Sequence, residues 1–172
     1  FCQANVTRIA KYWKNGKAIL LTGSNTCAAA RHIAVSGSDV YAAGSEYNSD
    51  RKEVAKYWKN GTPISLTDGS IFISIHGIAV SGSDVYVAGS EWNGTRYIAK
   101  YWKNGQAIPL TDGSKWSEAR GIAVSGSDVY VLGFEETSVA PIIRIAKYWK
   151  NGQAVNLTNG SNEASANSIA AV

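Results

Sequence analysis

The run Ile78-Ala79-Val80-Ser81-Gly82-Ser83-Asp84-Val85-Tyr86-Val87, with the later runs Ile98-Ala99-Lys100-Tyr101-Trp102-Lys103-Asn104-Gly105 and Ala107-Ile108-Pro109-Leu110-Thr111, decides the fold. Its apolar and aromatic segments are short, β-prone and cut by two glycine pairs. Asn104-Gly105 tolerates positive φ at both central positions of a two-residue type I′ hairpin turn, and Gly82-Ser83 suits type II′ with glycine first. A helix needs an unbroken amphipathic stretch of about ten residues or more, and the two turns interrupt every candidate. The segment reads as four antiparallel strands: a (the Ile-Ala-Val run), b (Asp-Val-Tyr), c (Ala-Lys-Tyr-Trp) and d (the run into Leu-Thr).

The same text recurs along the chain. Lys-Tyr-Trp-Lys-Asn-Gly starts at Lys11, Lys56, Lys100 and Lys147, and Leu-Thr follows at Leu21, Leu66, Leu110 and Leu157. Ser-Gly-Ser-Asp starts at Ser36, Ser81 and Ser125. A period near 45 residues fits a four-stranded propeller blade, and the turns exclude the helical repeats of similar length. Strands a and b are apolar on both faces, as in Ile122-Ala123-Val124 and Val129-Tyr130-Val131-Leu132. A sheet with one wet face alternates instead, so the blades are expected to stack radially on one another.

The expected architecture is therefore an all-β propeller of four-stranded antiparallel blades, one domain over 1–172. Its units span about 1–30 (strands c and d), 31–75, 76–119, 120–164 and 165–172 (strand a only). One strand b is missing from four blades. Three explanations stand: a piece of a larger propeller, a ring closed with one three-stranded blade, or a gap filled by another chain through its open strand edge. The chain has no Met and begins at Phe1, as expected of a processed or partial product.

Composition narrows the classes. Of 172 residues 45% are hydrophobic and 17% charged, too apolar for a disordered tail. No run approaches the ~18 apolar residues of a membrane-spanning helix, so no membrane insertion is expected. A net charge of +4 is too dilute to mark a nucleic-acid binder. If Asn15-Gly16 is a two-residue turn, Cys2 and Cys27 fall nearly opposite each other at the open end of that hairpin. A disulfide between them, worth about 3 kcal/mol by loop closure, is expected and places the chain in an oxidising compartment.

The repeated Ile-Ala-Lys-Tyr-Trp-Lys-Asn-Gly, Leu-Thr-Asp-Gly-Ser and Ile-Ala-Val-Ser-Gly-Ser-Asp-Val-Tyr-Val-Ala-Gly strings resemble tandem repeats of uncharacterised secreted or surface-anchored bacterial proteins. That resemblance covers the whole chain and implies an extracellular or cell-surface propeller, with no assigned activity.

Chemistry-bearing residues are sparse. His32 and His76 are the only histidines and lack metal-ligand spacing. The Asp68-Gly69-Ser70, Asp112-Gly113-Ser114 and Asn159-Gly160-Ser161 loops carry too few oxygens for calcium and read as Asx turns. Glu46, Glu91 and Glu135 recur once per unit, which spreads them apart instead of pairing them for glycoside hydrolysis. No catalytic residue, metal or cofactor is expected. Two binding surfaces are conceivable. Arg31, His76, Arg120 and Asn167 lie two residues before each Ile-Ala run, on the innermost strand, and could ring the channel mouth as an anion site. Tyr47, Trp92, Tyr97 and Trp116 lie in connections, where exposed aromatics serve sugar stacking or protein contacts. The repeated Tyr-Trp pairs at Trp13, Trp58, Trp102 and Trp149 read as blade packing, because neighbours on a strand point to opposite faces. Lys56 and Lys59, flanking Trp58, give the outer strand a cationic edge that deters aggregation. The expected function is a non-catalytic structural or interaction module whose partners are other copies of itself or another segment of a longer chain. The alternative is a lectin-like glycan- or anion-binding propeller.

Overall fold

The structure, a computed structural model, describes residues 7–138 and 140–170. Fourteen strands and, among the described residues, no helix make up the fold. A half-blade comes first, with β1 (Lys11–Lys14) against β2 (Lys17–Leu20). The second blade holds β3 (Ala28–Ser36), β4 (Asp39–Tyr47), β5 (Glu53–Lys59) and β6 (Thr62–Ser65). The third holds β7 (Ile73–Ser81), β8 (Asp84–Trp92), β9 (Tyr97–Lys103) and β10 (Gln106–Pro109). The fourth holds β11 (Ser117–Ser125), β12 (Asp128–Glu136), β13 (Arg144–Lys150) and β14 (Gln153–Asn156). Each is an antiparallel meander in chain order, so the sheets form a propeller-like arrangement of four-stranded blades.

Turn chemistry sets the register. Asn15, Asn60, Asn104 and Asn151 have φ of 50–52° and their following glycines 77–90°, the double positive φ of type I′. Gly37, Gly82 and Gly126 lie at 57–59°, as a type II′ turn requires at its first central residue. The Asn side chain then does a second job. Asn104 Oδ1 accepts from Val85 N at 2.9 Å while its amide donates to Asp84 Oδ1 at 2.8 Å. Lys103 Nζ sits 2.8 Å from Asp84 Oδ2 and lies over the Tyr86 ring. Asn60 with Asp39, and Asn151 with Asp128, repeat this clasp between the two ends of strands b and c. The Leu-Thr pair closes strand d in the same spirit: Leu66 N donates to Ala55 O, and Thr67 Oγ1 accepts from Ala55 N.

Blades meet through Tyr on one face and Trp on the other. Tyr41, Ala43, Ala55, Tyr57 and Leu66 of the second blade pack on Val85, Val87, Trp102 and Ile78 of the third. Tyr86, Ala88, Ala99 and Tyr101 of the third pack in the same way on Ile122, Val129, Val131 and Trp149 of the fourth. Burying one such ring removes about 150–250 Å² from water, so these two interfaces hold the array together.

The structure corrects three expectations. Strand a begins three residues ahead of the expected unit boundaries, at Ala28, Ile73 and Ser117, because its first residues still find strand b opposite them. Residues 163–170 lie in no strand; a lone strand a has no b partner for its backbone groups. Lys56 and Lys59 are not a free cationic edge: they pair with Glu46 at 2.7 Å and Asp39 at 3.0 Å.

Candidate functional site

The site is built by an irregularity shared by the three innermost strands. Register shifts between Ala30 and His32, Ile75 and Gly77, and Ala119 and Gly121, leaving Arg31, His76 and Arg120 as the extra residue of a β-bulge. A bulge leaves one residue unpaired and turns its side chain away from the regular pleat. The carbonyl two residues before it lies against strand b, where Gly44, Gly89 and Gly133 stand. A Cβ on any of these three would overlap the carbonyl oxygen of Ala29, Ser74 or Glu118 respectively. The glycine ending the Val-Ala-Gly text is therefore the mould of the bulge.

All four residues expected at the channel mouth line one cavity of about 390 Å³. Equivalent positions from successive units converge on it: Arg31-His32-Ile33, His76-Gly77-Ile78, Arg120-Gly121-Ile122 and Asn167-Ser168-Ile169. Arg120 Nη1 donates to Asn167 Oδ1 at 2.9 Å, and its Nε and Nη2 lie 3.2 Å from Glu118 Oε2. His32 Nε2 lies 3.2 Å from Ile75 O, tying the second blade's inner strand to the third's. Burial holds the His76 imidazole below its ordinary value; the Glu118 carboxylate opposes this, while His32, Arg120 and Arg31 reinforce it. Burial lowers His32 as well, against its hydrogen bond to Ile75 O and with help from Arg31. A second cavity of about 700 Å³ adjoins the first and shares Arg31, His32 and His76, with Glu53 and Ser45 on its wall. His32 is the member that sequence reasoning missed, because its position holds Gly77, Gly121 and Ser168 elsewhere and shows no repeating chemistry.

The expected aromatic surface comes together in part. Trp92, Tyr97 and Trp116 form a closed triangle with ring centroids 5.2, 6.0 and 5.4 Å apart, half-buried and packed largely edge to face. Trp116 Nε1 donates to Glu118 Oε1 at 3.1 Å. Tyr47 is separate from it. It occupies the Trp92 position of the preceding blade, opposite Glu53, with its hydroxyl 3.5 Å from Glu53 Oε2. In the fourth blade the same triangle is charged, with Arg144 3.5 Å from Glu136 and 3.6 Å from Glu163. In the first unit Arg8 and Cys27 hold two of the corresponding places. Cys2 lies outside the described residues; the Cys27 carbonyl accepts from Tyr47 N at 2.9 Å, and Cys27 bridges in parallel to Arg8.

The other motif residues are structural. Glu46, Glu91 and Glu135 pair with Lys56, Lys100 and Lys147 at 2.7, 2.8 and 3.3 Å, so they are neutralised pairs and not solvated charges. The Asx reading of the Asp-Gly-Ser loops holds: Ser70 N and Ser114 N donate to Asp68 and Asp112 at 2.8 and 2.9 Å. Among the described residues no group of three His, Cys, Asp or Glu side chains could hold a metal ion. Set against known proteins, the chain matches no protein-family model and no curated sequence.

Proposed function

We propose that the chain is a non-catalytic structural or interaction module of the cell exterior that associates head to tail through the open faces of its first and last blades. The observation that carries this reading is what those faces are made of. Trp13 and Leu20, on the half-blade at the leading end, are 63% and 59% exposed, although Trp58, Trp102 and Trp149, the equivalents of Trp13 in the next units, lie inside blade–blade interfaces. At the trailing end Leu157 is 54% exposed, where its counterpart Leu66 is buried. Each end thus carries one half of the contact that joins the internal blades. The two halves are different surfaces, so a second copy would meet the first in a heterologous, propagating contact.

Light scattering across a concentration series tests this. The expected result is a mass that grows with concentration, and chains that stay monomeric throughout would overturn it. Trp13→Lys blocks one end and Leu157→Lys the other. Each variant alone should not propagate, while their mixture should stop at a heterodimer. If the chain is a piece of a longer array, further blades of that array would cover the same faces, and the isolated piece would still self-associate.

Glycan binding is the second reading, and the Trp92–Tyr97–Trp116 triangle supports it. It expects saturable quenching of tryptophan emission by a glycan, abolished by Trp92→Ala. The Cys2–Cys27 disulfide belongs to the same extracellular reading, and non-reducing peptide mapping tests it.

A further inference from the structure

We propose that the mouth of the axial cavity binds an oxyanion group, phosphate, sulfate or carboxylate, borne on a small ligand with an apolar remainder. The inference is independent of head-to-tail association. Three bulges turn one residue each to the same place, and those residues are Arg31, His76 and Arg120. Asn167 and Ser168 complete a rim on which every polar side chain can donate, and no acidic residue lines this cavity. The charges are unequal. Arg120 is offset by Glu118 at 3.2 Å, whereas Arg31 is exposed and, among the described residues, makes no ion pair or hydrogen bond. With the Asn167 carbonyl oxygen taken by Arg120, its amide N–H groups are left to donate. Ile33, Ile78, Ile122 and Ile169 line the same cavity and give it an apolar part. The volume of about 390 Å³ has room for roughly a dozen waters at ~30 Å³ each, enough for a small organic anion. Glu53 lines only the neighbouring larger cavity and so confines the anion to the axial one.

Protonation tunes the site. Arg31, Arg120 and the two histidines line it, with Glu118 against Arg120 and Glu53 on the adjoining cavity that Arg31 and both histidines share, and an anion bound among the cationic groups favours the imidazolium forms. Affinity should therefore rise as pH falls through the lowered histidine pKa values.

The test is calorimetric titration with sulfate, which stays ionised throughout, and with butyl sulfate, at about pH 5 and about pH 8. It is run on the Trp13→Lys background so that association does not intervene. Saturable binding, tighter at the lower pH, is expected. Arg31→Gln should weaken it roughly tenfold or more, the loss of one charge-assisted contact, and His76→Gln should flatten the pH dependence. Butyl sulfate should bind more tightly by about fourfold per buried methylene. Lys17→Gln, an exposed cation on the half-blade, should change nothing. No sulfate binding, or equal affinity in Arg31→Gln, would overturn the site; equal affinity for the two probes would overturn its apolar part.

Discussion

Lys11–Gly16 and Lys100–Gly105 carry the same six residues, yet they end in opposite environments. Trp102 is 1% exposed between the second and third blades, while Trp13 is 63% exposed. Both hairpins have the same register and the same positive-φ turn, so local structure does not distinguish them. What differs is company. Trp102 meets the Tyr-Ala-Ala-Tyr face of a preceding blade, and Lys103 and Asn104 clasp Asp84 of their own strand b. The half-blade has neither. The hexapeptide encodes a hairpin outright but only half of an interface.

Four measurements sharpen that contrast. The largest effect should come from truncating the ring: Trp102→Ala should cost about 3–5 kcal/mol in denaturant unfolding, against less than about 0.5 kcal/mol for the exposed Trp13→Ala. Next, Gly89→Ala forces a Cβ onto the Ser74 carbonyl and should cost about 1–3 kcal/mol, as overpacking does. Among its described residues the half-blade contains no bulge of this kind, so its unfolding amplitude should be unchanged. Third, Asn104→Ala should cost about 1 kcal/mol more than Asn15→Ala. Both lose a residue tolerant of left-handed φ, but only Asn104 also loses the bond from Val85 N.

The smallest effect is in pH. His32 and His76 are held below the ordinary 6.5 by burial, so the unfolded chain takes up their protons first as pH falls. Stability should be full above 6.5 and decline as pH drops from there toward the folded values. His76→Gln should shallow that decline in thermal melts. The clasp aspartates act in a separate window: Asp84, lowered chiefly by Lys103 and then Asn104, loses its contribution only below its ordinary 3.8.

Strand type, turn type and the two-sided Tyr-Trp packing were all legible in the sequence, because each depends on residues a few positions apart. The position two before each Ile-Ala run was legible as part of the inner strand, and Arg31, His76, Arg120 and Asn167 do share one cavity. The reason was not. A bulge is a mismatch between two strands, and its only written trace is a glycine on the opposite strand that any turn or bend would equally explain. Ion pairing was also hidden. Glu46 and Lys56 sit ten residues apart and read as unrelated surface charges until β4 and β5 are laid side by side. Trp92, Tyr97 and Trp116 were legible as an aromatic surface, but that Tyr47 stands apart from them was not, because the three corners change character from blade to blade.

The bulge has one consequence for how such a chain can diversify. A residue released from cross-strand pairing has no partner on the strand opposite, so its identity is less constrained than that of the rest of its strand. Duplication of the unit therefore copies the scaffold and, with it, one uncommitted slot per copy aimed at the axis. The slots here hold arginine, histidine and arginine. Selectivity at the centre could be rewritten by single replacements, with no change to the text that makes the blades.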